Sequence, residues 1–416
     1  MSYVVVGAGP SGVIAAETLK RAGPSDDVLL IGAEPEPPYS RMAIPYYLTG
    51  KIDEAGTYLR KTAGHYEGLG IQYIESVAES IDPGDGKLTL AGGDTVLFDQ
   101  ALIATGARPI RPPIEGLDLE GVHHCWTLED ARHIIGYADA GADVVLIGAG
   151  FIACTILESL VLRGVNLTVV EMEEHMLPRM MDDVGGEMIK RWCEEKGVTV
   201  RIGTKVTKLE HRAGADEDRL TVDLDDQSQI AAHLVVVAAG VQSNTDFLGG
   251  SGIEVGTGIV VDKFLRSSVA NVYASGDCAE GPDFFTGKGV VHAVQPTAAD
   301  HGRIAAMNMA GKSVPYNGSL IMNVLDTMGL ISVSFGAWQG VEGGERSVVV
   351  DETVFRYLRL EFDEDRLIGC LSLGRTDHVG VLRGLIQMRR RLGAWKDRLM
   401  TDPHRFMEAY VAGAQL

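Results

Sequence analysis

The sequence predicts an α/β protein with two Rossmann-like folds and a small α+β domain toward its C-terminal end. Three observations predict it. YVVVGAGPSG, residues 3–12, is a short apolar strand running into a glycine turn and then a helix. DVVLIGAGFIA, residues 143–153, repeats that signature. After residue 312 the pattern changes to antiparallel strands with hairpin turns, followed by helical segments from about Asp377. The bulk composition agrees: 416 residues exceed one hydrophobic core, and 51 glycines with 6% aromatic residues suit many tight strand-to-helix turns.

In the first signature Gly7 makes the turn, Gly9 lets the backbone approach a pyrophosphate, and Gly12 packs helix on strand. Pro10 and Ser11 open a helix that runs to about Ala22, and its N-terminus offers free N–H groups to an anion. The next strand, VLLIGAE, ends at Glu34, 22 residues past Gly12, where an acid binds a ribose hydroxyl. The second signature places Gly148, Gly150 and Ala153 in the glycine positions, with Phe151 and Ile152 at the start of its helix. Its following strand, LTVVE, ends at Glu171, 18 residues past Ala153. A carboxylate there accepts the 2′-hydroxyl of NAD and repels the 2′-phosphate of NADP. Arg179, the nearest following base, is eight residues away, so NAD is the expected dinucleotide. The bland alternative, a glycine turn without a ligand, does not account for strand, helix and acid occurring together twice.

Charge and cysteine usage narrow the class. A net charge of −20 opposes a nucleic-acid surface, which needs clustered Lys and Arg. The first strand begins at Tyr3, and the apolar runs are strand-length, so neither a signal peptide nor a membrane span is expected and a cytoplasmic location is. Cys125, Cys154, Cys193, Cys278 and Cys370 lie far apart, with no spacing for an iron–sulfur cluster, a zinc or a redox disulfide. The eleven histidines show no metal spacing: His123 and His124 are adjacent, and His292 and His301 are expected in packing or at a cofactor edge. No metal is assigned.

Two further segments, LIATGARP at 102–109 and NVYASGDCAE at 271–280, complete a recognisable set. The combination resembles the two-dinucleotide-fold flavoproteins of the glutathione reductase superfamily, the FAD-dependent pyridine nucleotide-disulfide oxidoreductases, over about the first three quarters of the chain. The resemblance implies FAD on the first signature and NAD(P)H on the second. It implies that Ala104, Thr105 and Gly106 close the flavin domain and that Asp277, after Gly276, meets the ribityl chain; a capping Asp is the bland alternative. It also implies the domain order: residues 1–112 and 241–312 bind FAD, residues 113–240 form an inserted NAD domain, and residues 313–416 shape the active site or a subunit interface. Gly240 falls near the nicotinamide, and Thr297 at the start of a helix beneath the flavin pyrimidine. Phe151 matches an aromatic gate over the flavin, against ordinary helix-face packing.

PPYSRMAIPYYLTG, residues 37–50, is the most informative segment. It resembles the stretch that carries a single redox cysteine in the coenzyme A disulfide reductase and NADH peroxidase branch, and here that position is Met42. A thioether forms neither a thiolate nor a mixed disulfide, so disulfide or peroxide reduction is disfavoured. The same stretch resembles the YSR segment of rubredoxin and ferredoxin reductases, which implies Ser40 and Arg41 beside the flavin or its phosphates; a surface role is the alternative for Arg41. Thr155 stands where many relatives have a glutamate, which puts an ion pair there in doubt. Toward the end, Arg383, Arg389, Arg390, Arg391, Lys396 and Arg398 gather cations, either as a solvated face or as a dock for an acidic iron–sulfur protein. The start of the chain and residues 34–50 resemble the subunit that carries both FAD and NAD in 2-oxoacid:NAD oxidoreductase complexes. The expectation is therefore an electron-transfer subunit exchanging electrons between NAD(H) and an iron–sulfur partner in a hetero-oligomer, a homodimer being the other arrangement. A stand-alone NADH oxidase or NADH:rubredoxin reductase is the enzymatic rival, and a redox-sensing binding module the non-enzymatic one.

Overall fold

The structure is a computed structural model and describes residues 1–211 and 219–414. The chain divides into two compact units, residues 1–110 with 241–319, and residues 111–240 with 320–416.

The first unit is built on a five-stranded parallel sheet in the order Val272–Ala274, Gln100–Ile103, Ser2–Val6, Asp27–Gly32, Ile71–Glu75. Its central strands are apolar on both faces, with Val4, Val5, Leu30, Leu102 and Ile103 all buried, as expected where helices and a second layer cover a parallel sheet. The strand Val272–Ala274 joins this sheet from beyond residue 240, so the chain leaves the first fold and returns to complete it. The helix Pro10–Ala22 begins with proline in its first turn, where a missing N–H costs nothing, and buries Val13, Ala15, Ala16 and Leu19 against the sheet. The helix Gln295–Met309 packs close upon it: a Cβ added at Gly302 would lie 2.2 Å from the Ser11 carbonyl oxygen.

The second unit repeats the plan. Its five-stranded parallel sheet has the order Thr199–Arg201, Asn166–Val170, Asp143–Ile147, Leu234–Val237, Val122–His124. Residues 320–416 add a five-stranded antiparallel sheet, in the order Met322–Thr327, Leu330–Gly336, Arg366–Leu373, Arg356–Asp363, Glu345–Asp351, and the helices Val379–Met388, Ala394–Thr401 and Phe406–Ala414. The helix Asp183–Glu195 ties these two five-stranded sheets together. Its cap Asp182 accepts from Gly185 N at 3.0 Å and pairs with the buried Arg359 at 2.8 Å. Near the helix end, Trp192 donates to the Thr327 carbonyl at 3.1 Å and meets Phe355 edge-on. Among the described residues, no helix is long and apolar enough to cross a membrane.

Candidate functional site

The two glycine turns adopt the same geometry. Gly7 (φ +113) and Gly148 (φ +104) lie in backbone that favours glycine, and a Cβ would come within 2.1 Å of Ala104 O at the first and 2.6 Å of Ala238 O at the second. The middle glycines differ in kind. Gly9 (φ −74, ψ −176) and Gly150 (φ −75, ψ −173) are extended, a conformation open to any residue, and nothing lies within 4 Å of the Cβ each lacks. Nothing among the described residues demands glycine at either position. Each caps a helix that has no side-chain cap, so no capping side chain takes up the first-turn N–H groups. An uncapped helix N-terminus beside a bare backbone fits a pyrophosphate in both folds.

Around the first turn the structure gathers segments from across the sequence. Ser11 is buried and donates to Ser275 Oγ at 2.7 Å, so its hydroxyl holds the SGD loop against the turn. The Ala104–Gly106 segment is locked to the returning chain: Thr105 Oγ1 donates to Asn244 O at 2.8 Å, Asn244 Nδ2 donates to Thr105 O at 2.9 Å, and Asn244 N donates to Gly106 O at 2.9 Å. Ser243 Oγ donates to the Asp277 carbonyl at 2.9 Å, and Gly276 (φ +73) makes the bend before it. The Asp277 carboxylate is half-buried and accepts no hydrogen bond among the described residues. Burial pushes its pKa up to about 6, against the opposing charge of Arg41. An acceptor left without donors is costly, so the site suits a ligand that brings hydroxyl groups to this carboxylate.

Glu34 accepts from Arg41 Nη2 at 2.6 Å and from the Tyr39 hydroxyl, so the acid at the strand end and the YSR segment form one cluster. Ser40 Oγ lies 2.6 Å from Gln295 Oε1, in the first turn of the helix Gln295–Met309, where Thr297 is also buried. Met42 is 49% exposed. Tyr39, Gln295 and Asn244 were not singled out in the sequence, although each lies within or beside a segment that was.

In the second unit Glu171 is only 6% exposed, and its carboxylate receives Ala149 N at 2.5 Å and Glu173 N at 2.9 Å. Each oxygen keeps a further lone pair, so the group can still accept a ribose hydroxyl. Phe151 and Ile152 are half-buried in the first turn of the motif helix, and the Thr155 hydroxyl donates back to Phe151 O at 2.8 Å. Gly240 takes φ +110. Arg179 makes no ion pair among the described residues.

All five cysteines are free and buried. Burial pushes the thiols of Cys125, Cys193 and Cys370 up to about 12, and that of Cys154 well above its ordinary value. Among the described residues no group of three or more His, Cys, Asp and Glu side chains could hold a metal ion. The C-terminal cations are partly neutralised: Arg391 pairs with Glu364 and Asp365 at 2.9 and 3.1 Å, Lys396 pairs with Glu345, and Arg398 lies over Trp395.

Two glycine turns, each with its strand-end acid, and an SGD loop folded back on the first are the arrangement expected of a two-dinucleotide flavoprotein. The chain belongs to the pyridine nucleotide-disulphide oxidoreductase family, which residues 1–306 match. It is an NAD(H)-dependent flavoprotein oxidoreductase, with FAD and NAD as its cofactors. It is 30% identical over 404 residues, 96% of this chain and 95% of the relative, to the NADH-dependent phenylglyoxylate dehydrogenase subunit epsilon of Aromatoleum evansii, in line with the resemblance read from its first 50 residues. It is 27% identical over 390 residues, 93% of this chain and 100% of the relative, to a rubredoxin-NAD(+) reductase of Ectopseudomonas oleovorans. Its fold is similar to that of a putidaredoxin reductase solved in covalent complex with putidaredoxin, with a TM-score of 0.91 and 23% identity, covering 100% of this chain and 99% of that one.

Proposed function

We propose that this chain is the flavoprotein electron-transfer subunit of a CoA-acylating 2-oxoacid dehydrogenase complex of the phenylglyoxylate type, carrying electrons from an iron–sulfur partner through FAD to NAD⁺ in the cytoplasm. The observation that carries the reading is the sulfur chemistry. An exposed thioether stands at residue 42, and every thiol is buried with its ionisation suppressed in those whose shift is large. None is placed to become the thiolate that disulfide or peroxide reduction needs. Electrons therefore pass to or from the partner without a cysteine relay. The similarity to the phenylglyoxylate dehydrogenase subunit over nearly its whole length supports the direction and the partner class.

Bound FAD supplies the exchange between a hydride carrier and one-electron partners. The chain's own residues bind and orient. The open face of Gly9 and the helix opened by Pro10 and Ser11 receive the FAD pyrophosphate, packed over Gly7 and Gly12. Glu34 takes a ribose hydroxyl, Asp277 accepts from the ribityl hydroxyls, and Ala104, Thr105, Gly106 and Gly276 shape the floor. Ser40 and Arg41 face the flavin side, with Thr297 in the first turn of its helix. On the second fold Gly148, Gly150 and Ile152 receive the NAD pyrophosphate, Glu171 takes the 2′-hydroxyl and excludes a 2′-phosphate, and Gly240 and the gate residue Phe151 serve the nicotinamide end.

Anaerobic NADH should bleach the flavin completely, and a ferredoxin or rubredoxin should then be reduced over many turnovers while oxygen is consumed slowly. Rapid aerobic NADH consumption would instead make the chain an NADH oxidase, and bleaching without turnover would make it a redox-sensing module. Similarity to a rubredoxin-NAD(+) reductase over that relative's whole length favours a second reading, a stand-alone NADH:rubredoxin reductase. Isolating the chain from its own cell distinguishes them: iron–sulfur subunits that stay with it support the complex, and a lone flavoprotein supports the reductase.

A further inference from the structure

Glu17 lies on the helix Pro10–Ala22, about one and a half turns beyond Gly12, and is only 7% exposed. A buried carboxylate needs partners, and three come from one distant segment or its own helix. Arg60 grips it with two hydrogen bonds, Nε to Oε1 at 2.6 Å and Nη2 to Oε2 at 2.9 Å. His65 Nε2 lies 3.0 Å from Oε1, and Arg21 reaches Oε2 at 3.3 Å from the solvent side. Burial opposes ionisation of Glu17, but the hydrogen bonds from Arg60 and His65 outweigh it and hold the carboxyl below its ordinary value. A two-pronged guanidinium–carboxylate pair fixes direction as well as distance, so Arg60 is held in one orientation relative to the motif helix.

What Arg60 holds in turn is the YSR segment. Its Nη1 donates to its neighbour's carbonyl, Leu59 O, at 2.8 Å, which stiffens residues 59–60. Leu59 N donates to Pro38 O at 2.8 Å, Ser40 N donates to Thr57 O at 3.0 Å, and Tyr39 bridges Tyr58 in antiparallel register. Residues 57–59 thus form a short splint along residues 38–40. At the end of the splint sit Ser40 against Gln295 and Arg41 against Glu34. Residues 41–43 form only a single 3₁₀ turn, and none of them is buried. The chain is anchored by buried Tyr39 before this turn and by buried Ile44 and Leu48 after it, so the splint and the side-chain contacts of Ser40 and Arg41 set the orientation of an unburied turn between two anchors.

We propose that the Glu17–Arg60 pair is a latch that positions Ser40 and Arg41 at the FAD site, acting through the splint of residues 57–59 rather than by touching the cofactor. The proposal rests on the first fold's being the FAD site. Glu17 and Arg60 are accordingly positioning residues. The latch ties the orientation of the flavin-side segment to the same helix whose N-terminus receives the pyrophosphate, so both ends of the site are set from one element.

The test is a double-mutant cycle on FAD affinity, read by fluorescence titration of the reconstituted full chain. Arg60→Met and Arg41→Ala should each weaken FAD binding about 10-fold, and the double variant should fall well short of the roughly 100-fold product, because the latch then has only Ser40 left to position. NADH affinity should change less than about twofold, and Arg60→Lys, which keeps the charge but not the fork, should recover part of the loss. Should Arg60→Met not fold, Arg60→Lys with Arg41→Ala makes the same cycle. Multiplicative losses, near 100-fold in the double variant, would overturn the latch, since a merely structural role adds independently. Unchanged FAD affinity in the Arg60 variants, with Gly9→Leu abolishing binding, would overturn it as well while leaving the FAD site standing. Retention of FAD by Gly9→Leu would overturn the site assignment and the latch together.

Discussion

Adjacent glycines of one motif should separate folding from binding. At Gly7 an added Cβ would lie 2.1 Å from Ala104 O and 2.5 Å from its carbon, with φ at +113. Backbone strain of about 1–3 kcal/mol combines there with a forced shift of buried main chain worth about 1–3 kcal/mol, so Gly7→Ala should destabilise the apoprotein by roughly 2–6 kcal/mol. At Gly9 the backbone is extended and nothing lies within 4 Å. Gly9→Ala should leave the apoprotein as stable as before, or more stable by about 0.4–1 kcal/mol through the unfolded chain's lost freedom. The same methyl stands where a phosphate approaches the backbone. Loss of one charge-assisted hydrogen bond, about 1.5–3 kcal/mol, weakens FAD binding roughly 10- to 150-fold. Urea unfolding of the apoprotein and fluorescence titration with FAD measure the two effects separately. If Gly9→Ala unfolds as readily as Gly7→Ala, or binds FAD with unaltered affinity, the open face of Gly9 is not the pyrophosphate site and the reasoning fails.

Glu171→Gln removes the charge that repels a 2′-phosphate, so the NADH-to-NADPH ratio of kcat/KM should fall by about 10-fold or more, and an unchanged ratio would assign selectivity elsewhere. Asp277 has a folded pKa near 6, above its ordinary 3.8, so the folded apoprotein binds the extra proton; its contribution to stability is present below about pH 4 and lost as pH rises through about 6. Asp277→Asn should flatten that part of the apoprotein's urea midpoint against pH, and a midpoint curve identical to the parent's would refute it. Arg359 is buried between Asp182 and Glu361, and Arg359→Met should cost about 3 kcal/mol by removing the cation they share, with Asp182 keeping Gly185 N and Tyr357, and Glu361 keeping Arg346, measured as a lowered thermal or urea midpoint. Reversing Arg389, Arg390 and Arg398 to Glu should slow reduction of or by the iron–sulfur partner at low salt and spare flavin bleaching by NADH; equal loss of both would end the docking idea.

Much of the site was readable in advance, and the readable part has a common character. The turns at Gly7 and Gly148, the uncapped helices, and the acids at Glu34 and Glu171 all sit within about 35 residues of one another in each fold, because strand, turn, helix and next strand are contiguous. Partners of the acids were not readable. Glu34 turned out to be paired with Arg41 and Tyr39, and Glu171 to be pinned by the amides of Ala149 and Glu173, since these contacts depend on where loops settle after the sheets have formed. The C-terminal cations show the same limit. Spacing displays a cluster, yet Arg391 and Lys396 are matched by acids 26 to 51 residues earlier that the antiparallel sheet brings beside them.

Local sterics and periodicity were enough to predict two nucleotide folds and their glycine turns, because each is a property of a short stretch and of residue type; the thiol missing at Met42 was legible only through the resemblance to relatives that carry a cysteine there. Tertiary packing alone decided which residues hold those stretches in place. Glu17 meets Arg60 across 43 residues, and Asp182 meets Arg359 across 177. Neither pair carries a sequence signal, since a carboxylate and a guanidinium become partners only when folding brings them together and takes most of the water from the carboxylate.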